Sequence, residues 1–168
     1  MIRSFSGKSP RIADSAFVSE MAYVIGDVEI GENSTVWPGA VIRGDSVTIR
    51  IGNNTHIEDN CVVHAGRELT IGDNVSIGHG AIIHCNKIGN YVMVGNNATL
   101  LEGSEIGEYC AIGAGAVVPP RAKIPARSLA VGVPAQVIGE PSPVNLHYIE
   151  KIPEMYTELG RQFKEQGL

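Results

Sequence analysis

The chain has 168 residues, a formal net charge of −5 and a sequence isoelectric point near 5.5, which suit one acidic domain. This charge argues against nucleic acids and anionic membranes as partners, and no apolar run approaches the ~20 residues that span a bilayer. Because residues 1–15 contain no apolar segment of the signal-peptide type, we expect a cytoplasmic protein.

An aliphatic residue recurs every six positions through residues 12–124, with longer or shorter steps at three places. The positions are Ile12, Val18, Val24, Ile30, Val36, Ile42, Ile51, Ile57, Val63, Ile71, Ile77, Ile83, Ile88, Val94, Leu100, Ile106, Ile112, Val118 and Ile124. The fifth residue of each six is small or β-branched. A period of six fits neither an amphipathic helix nor a single alternating strand.

A triangular prism explains this period. Each six forms one short strand and one corner, three sixes complete a coil, and the aliphatic residue points inward. Coils stack about 4.8 Å apart, so parallel pairing between coils satisfies the backbone. The pattern is typical of hexapeptide repeats, and residues 12–135 resemble the left-handed β-helix proteins, a resemblance that supplies the handedness. We predict an all-β fold, a left-handed parallel β-helix of hexapeptide repeats with a C-terminal α-helix.

The repeat ends near Pro141, which divides the chain into a β-helix domain at residues 1–140 and a helical tail at residues 141–168. Apolar residues recur in the tail near helical spacing. They are Leu146, Ile149, Ile152, Met155, Leu159 and Phe163. Because proline interrupts a helix, we expect the terminal helix to begin near Pro153, after at most a short helical turn.

The three cysteines are odd in number and have no paired spacing, so we interpret them as reduced thiols. Cys61 and Cys110 fall in the small position of the repeat and are predicted to pack in the core. Cys85 directly follows His84, and we interpret it as a loop thiol rather than a metal ligand.

Two histidines occupy equivalent positions in the repeat. Val63 and Ile83 begin sixes that lie three apart, so His64 and His84 are predicted to stand one above the other on one prism face, pointing outward. Two imidazoles at this spacing suit one metal ion. For His56 and His147 we keep the simpler interpretation of a solvated or hydrogen-bonded side chain.

His79 is the third residue of a six that lies on the adjacent face. It is not expected to reach round the corner to His64 and His84, so a neighbouring prism would have to present it. Threefold symmetry would then repeat the site at each interface of a homotrimer. Three histidines with an open fourth position are typical of catalytic zinc.

Three segments carry a more specific resemblance. The segments VIRGD at 41–45, IEDNCVVH at 57–64 and IGHGAIIH at 77–84 are similar to the motifs of the γ-class carbonic anhydrases and occur in the same order. The resemblance implies a homotrimer that binds Zn2+, with Fe2+ or Co2+ as alternatives, through His64 and His84 of one subunit and His79 of its neighbour. It also implies reversible hydration of carbon dioxide to bicarbonate by zinc-activated water.

The resemblance suggests further site residues. Arg43, Asp45 and Asp59 match family residues at the trimer contact, where salt bridges are the expected role and substrate orientation is the alternative. The family's usual glutamine beside the metal water is Glu58 here, on the same face as His79. Tyr148 is our match for a family tyrosine near the metal.

The sequence leaves two alternatives open, a metal-binding homologue without hydratase activity and a hexapeptide acyltransferase. The acyltransferase would need one catalytic histidine and no metal. The family's best-studied enzymes carry an acidic loop with a proton-shuttling glutamate, whereas only AGRELT separates His64 from Ile71, with Glu68 as its acid. We therefore expect slow hydration in weak buffer.

Overall fold

The computed structural model describes residues 1–168 and consists of short strands followed by one helix. The first ten strands are β1 (Ile2–Arg3), β2 (Arg11–Ile12), β3 (Phe17–Val18), β4 (Tyr23–Ile30), β5 (Thr35–Val36), β6 (Val41–Ile51), β7 (His56–Ile57), β8 (Val62–His64), β9 (Leu69–Ile71) and β10 (Ser76–Ile77). The remaining elements are β11 (Ile82–Ile83), β12 (Lys87–Ile88), β13 (Met93–Val94), β14 (Thr99–Leu100), β15 (Glu105–Ile106), β16 (Ala111–Ile112), β17 (Val117–Val118), β18 (Lys123–Ile124), β19 (Leu129–Val131), β20 (Gln136–Gly139) and α1 (Pro143–Glu165).

The strands stack into a left-handed parallel β-helix of about seven turns, which confirms the predicted fold. Three faces run along it. The histidine face contains the first half of β6 and then β8, β11, β14 and β17; the charged face contains β2, the second half of β6, β9, β12, β15 and β18. The helix face contains β3, β5, β7, β10, β13, β16 and β19, and only β20 pairs antiparallel at its end.

The interior is one continuous aliphatic core. The inward residues predicted from the six-residue period fill it, and Ile42, Ile77 and Leu100 have no exposed surface. Cys61 and Cys110 are buried in their predicted core positions, and all three cysteines are free. Because the inward residues alone fill the core, the outward side chains do not contribute to it and can form functional sites.

The terminal helix starts ten residues earlier than predicted. Ser142 caps it by accepting a hydrogen bond from the Asn145 backbone N–H, and Pro143 occupies the first turn, where a proline costs no hydrogen bond. Pro153 lies inside the helix and is buried against the prism. Packing on the prism compensates for the backbone hydrogen bond that Pro153 removes, so the predicted break at Pro153 is wrong.

The helix covers the helix face of its own chain through an aromatic cluster. Trp37 contacts Phe163 with ring centroids 5.1 Å apart, and Phe17 contacts both Trp37 and Phe163. Lys164 donates hydrogen bonds to backbone carbonyls beside β3, which ties down the end of the helix. No helix of this structure has the length and apolar character needed to cross a bilayer.

Candidate metal centre

His64 and His84 lie side by side on the histidine face. β11 pairs with β8 in the register Ile83 to Val63. The residues that follow, His84 and His64, therefore project from equivalent points on successive coils. The two imidazole rings are stacked with centroids 5.4 Å apart and planes 9° from parallel. The structure therefore places these two histidines as the repeat predicts, with both rings on the outside of the prism.

Arg43 and Asp45 continue this arrangement one coil away, because β6 pairs with β8 in the register Arg43 to His64. Asp45 Oδ1 lies 3.2 Å from His64 Nε2, and Asp45 Oδ2 accepts a hydrogen bond from Arg43. Partial burial raises the pKa of Asp45, whereas the contacts with Arg43 and His64 lower it. The contacts have the larger combined effect, so the pKa of Asp45 lies below its usual range. The Asp45 carboxylate therefore contacts the His64 imidazole through one oxygen and accepts a hydrogen bond from Arg43 through the other.

His79 lies at the corner that follows β10 and is held by two acids. Its Nε2 lies 3.0 Å from Glu58 Oε2, and its Nδ1 lies 3.1 Å from Asp59 Oδ2. The backbone N–H of His79 also donates to Glu58 Oε2 at 3.2 Å. Half of the His79 side chain remains exposed, so its ring is accessible from outside the chain.

Glu58 is largely buried although it belongs to the outer surface of the prism. Burial raises its pKa, while the neighbouring His79 and the hydroxyl of Tyr156 act in the opposite direction. Its neighbour Asp59 is more exposed. The placement of Glu58 against His79 agrees with the repeat, which puts both on the same face one coil apart.

The histidines of one chain do not complete a metal site by themselves. Within the chain, no group of three histidine, cysteine, aspartate or glutamate side chains is arranged to hold a metal ion. His64 and His84 form one partial set on the histidine face, and His79 belongs to the strand series of the helix face. This separation is the geometry that a site shared between two chains requires.

The tyrosine beside Glu58 is Tyr156, whereas Tyr148, our match from the sequence for a family tyrosine near the metal, lies elsewhere on the helix. Tyr148 is half exposed on the outer surface of α1, in a shallow groove with Lys151 and Met155. Tyr156, two helical turns later, faces Glu58 instead, and burial together with the Glu58 charge raises its pKa to about 12. Tyr156 could have been found only by placing α1 on the prism, which the sequence pattern did not do.

Two other residues near the histidines have roles outside the site. Glu68 pairs with Arg50 on the charged face and so points away from His64. Cys85 lies in the connection between β11 and β12, as predicted, but its side chain is fully buried in the core, and burial raises its pKa to about 12. Neither side chain reaches the stacked imidazoles as a ligand or a proton acceptor.

Comparison with known proteins identifies the family. The family model described as bacterial transferase hexapeptide (six repeats) matches residues 9–44 and 87–120. A carbonic anhydrase of Geobacillus kaustophilus is 40% identical over 166 residues, which cover 98% of this chain and 91% of the relative. The chain belongs to the γ-carbonic anhydrase-like family of hexapeptide-repeat proteins.

One relative is much longer than this chain, whereas two solved structures match it over nearly their whole length. The mitochondrial γ carbonic anhydrase 2 of Arabidopsis thaliana is 36% identical over 162 residues, but the chain spans only 58% of its length. Among solved structures, a hexapeptide transferase family protein of Anaplasma phagocytophilum superposes with a TM-score of 0.93 at 34% identity, covering 97% of this chain and 98% of the other. A suspected acetyltransferase of Bacillus cereus superposes with a TM-score of 0.95 at 37% identity, covering 99% and 98%.

Proposed function

We propose that this protein is a γ-class carbonic anhydrase that reversibly hydrates carbon dioxide to bicarbonate at zinc sites between the chains of a homotrimer. The observation that carries the proposal is the parallel stacking of His64 and His84, with His79 on a different face of the same prism. The family relatives named as carbonic anhydrases support the reaction.

The donor set fits a zinc ion. Three neutral imidazoles leave the dipositive charge of the metal uncompensated, and they leave one coordination position open. Zinc bound there would act as a Lewis acid that makes water a nucleophile near neutral pH. Iron(II) and cobalt(II) accept the same nitrogen ligands, so the donor set admits them too.

The surrounding residues have roles that follow from their contacts. A carboxylate that holds one ring nitrogen fixes the orientation of the imidazole, and Asp45 is placed to do this for His64. His79 has both ring nitrogens against carboxylates, so one of these contacts is replaced when His79 binds a metal. Glu58, which lies against His79, would be the hydrogen-bond acceptor available to orient a water bound to such a metal.

The test is hydration measured together with metal content. We expect anaerobically purified protein to contain about one divalent metal per chain and to hydrate carbon dioxide in a stopped-flow assay. His79→Ala is the matched variant, because it removes one ligand and leaves the prism core untouched. Activity that persists in metal-free protein would contradict the proposal, and metal without activity in any buffer would favour the non-catalytic homologue.

Acyl transfer remains the alternative function, since two structural neighbours are described as transferases. It requires neither a metal nor a stacked pair of histidines. Turnover of an acyl-coenzyme A by metal-free protein would support it, whereas we expect none.

A further inference from the structure

His56 is the one histidine buried completely beneath the terminal helix. It projects from β7 on the helix face and has no exposed surface. Its Nδ1 lies 2.8 Å from Thr35 Oγ1, which also accepts a hydrogen bond of 2.7 Å from Trp37 Nε1. A chain of polar contacts therefore fixes the imidazole from the prism side.

The other side of the imidazole is covered by α1. The Tyr156 ring stacks on it with centroids 5.5 Å apart and planes 25° from parallel. His56 Nε2 has no hydrogen-bond partner in the chain, and neither has Ser76 Oγ, its neighbour on the next coil. A neutral ring is compatible with this environment, but a charged ring would be a buried charge with only the Pro153 carbonyl to accept from it.

We propose that His56 is an acid-sensitive latch that positions α1, holding the helix against the prism when neutral and releasing it when protonated. The same stacking contact positions Tyr156, which faces Glu58. His56 therefore links the docking of the helix to the residues beside His79.

The groups that face His56 do not include a carboxylate in contact with it. Thr35 and Ser76 are neutral, and α1 contributes the Tyr156 ring and the Pro153 carbonyl. Glu58, the nearest acid along the strand, faces His79 and Tyr156. No negative charge is therefore positioned to stabilise an imidazolium at His56.

The direction of the pH effect follows from this burial. Burial lowers the pKa of His56 to about 4, and it outweighs the Pro153 carbonyl, which acts in the opposite direction. A histidine exposed by release of the helix titrates near 6.5, so the released state binds the proton more readily. Docking is therefore at full strength above about pH 6.5 and weakens as the pH falls towards about 4.

Trp37 offers a direct readout, because it is the only tryptophan and lies between β5 and the helix residues Tyr156 and Phe163. We would titrate the full chain from pH 7.5 to pH 4 and record tryptophan emission together with the far-ultraviolet β-sheet signal. Chelator-treated and zinc-supplemented samples separate this transition from titration of the proposed ligands. The readout requires no activity, so it can fail or succeed independently of the proposed function.

We expect a red shift of Trp37 emission between pH 6.5 and 4 while the β-sheet signal is retained. His56→Phe preserves an apolar stacked ring without a titrating group and should abolish the shift, whereas His147→Gln, on the exposed surface of α1, should leave it unchanged. Hydrogen exchange on the unmodified chain provides a second measurement, with acid-induced loss of protection expected in residues 143–165 but not in the prism. A red shift that persists in His56→Phe, or that coincides with loss of the whole β-sheet, would overturn the proposal.

Discussion

His64 and His84 are aligned by backbone register rather than by any contact of their own. Each follows an inward aliphatic residue, and parallel pairing of β8 with β11 fixes the separation of the two rings. Replacing one imidazole should therefore remove a proposed ligand without disturbing the fold. This separation of roles between inward and outward residues makes the site testable one residue at a time.

The first prediction concerns metal content. Each of the single variants His64→Ala, His79→Ala and His84→Ala should lose most of the bound divalent metal, because three ligands are needed for tight binding. His147→Ala, an exposed histidine on α1, serves as the control and should retain about one metal per chain. Elemental analysis with circular dichroism checks both points, and full metal occupancy in His79→Ala would contradict the shared site.

The second prediction concerns proton export. The only acid in the loop after His64 is Glu68, and it is paired with Arg50 on the charged face. A positioned proton acceptor typically contributes about 10²–10⁴-fold to the rate, so hydration should be slow in weak buffer. Concentrated imidazole buffer should restore the rate, since it can accept the proton directly.

Glu58→Gln provides the comparison for that experiment, because it keeps the shape of the side chain and removes its charge. We expect the buffer dependence to be similar in the variant and in the parent. A high rate that is independent of buffer in the parent and is lost in Glu58→Gln would show that Glu58 transfers the proton instead.

At the scale of elements, the inward stripe of α1 follows the stripe that the sequence suggested only in part, since Ile149 and Phe163 pack against the prism as expected. Ile149, Pro153 and Gly160 are buried, while Met155 is 59% exposed. Gly160 lies directly against the prism, where a Cβ would overlap the Thr35 methyl group. The helix approaches the helix face this closely only because position 160 has no side chain.

The third prediction follows from that contact. Gly160→Ala should destabilise the docked helix, because overpacking costs about 1–3 kcal/mol. The ~1 kcal/mol that alanine gains over glycine in helix propensity offsets only part of this cost. Thermal unfolding and hydrogen exchange of residues 143–165 measure the effect, and Gln162→Ala, on the exposed side, is the control. Increased stability of Gly160→Ala would show that the helix can shift away from Thr35 without loss.

At the scale of the whole molecule, the three faces of the prism have different surfaces. One is covered by α1, and the charged face carries residues of alternating sign that form exposed ion pairs, including Arg50 with Glu29 and Lys123 with Glu105. The histidine face instead exposes Val62 and Ile82, which are partners in adjacent strands and lie beside the stacked imidazoles. An apolar surface beside the two stacked histidines suits contact with another copy of the chain.

The fourth prediction concerns assembly. Val62→Asp should convert a trimer into monomers and reduce metal content with it, because the charge would be buried without a partner at the contact. Thr70→Asp is the matched control, since it introduces the same charge on the charged face between Arg50 and Lys87. Light scattering with elemental analysis distinguishes them. A metal-loaded monomer, in the parent or in Val62→Asp, would contradict the trimer.

The sequence alone determined the prism. Period-six repetition fixes which side chains point inward and which coils are adjacent, so Val63 and Ile83 were sufficient to align His64 with His84. It also placed His79 and Glu58 together on a different face. The relative positions of these residues follow from the repeat and from strand register alone. They can therefore be predicted without knowing how other elements pack.

Only the tertiary structure decided where α1 lies and what it touches. The helix begins at Pro143, after the N-cap Ser142, runs through Pro153, and brings Tyr156 to Glu58. No period relates α1 to the repeat. Besides Ile149 and Phe163, which helical spacing indicates, the inward stripe contains a proline, a tyrosine and a glycine, which do not mark a buried helix face in sequence. The close approach at Gly160 and the stacking on His56 select that stripe, because both contacts exist only once the helix meets the prism.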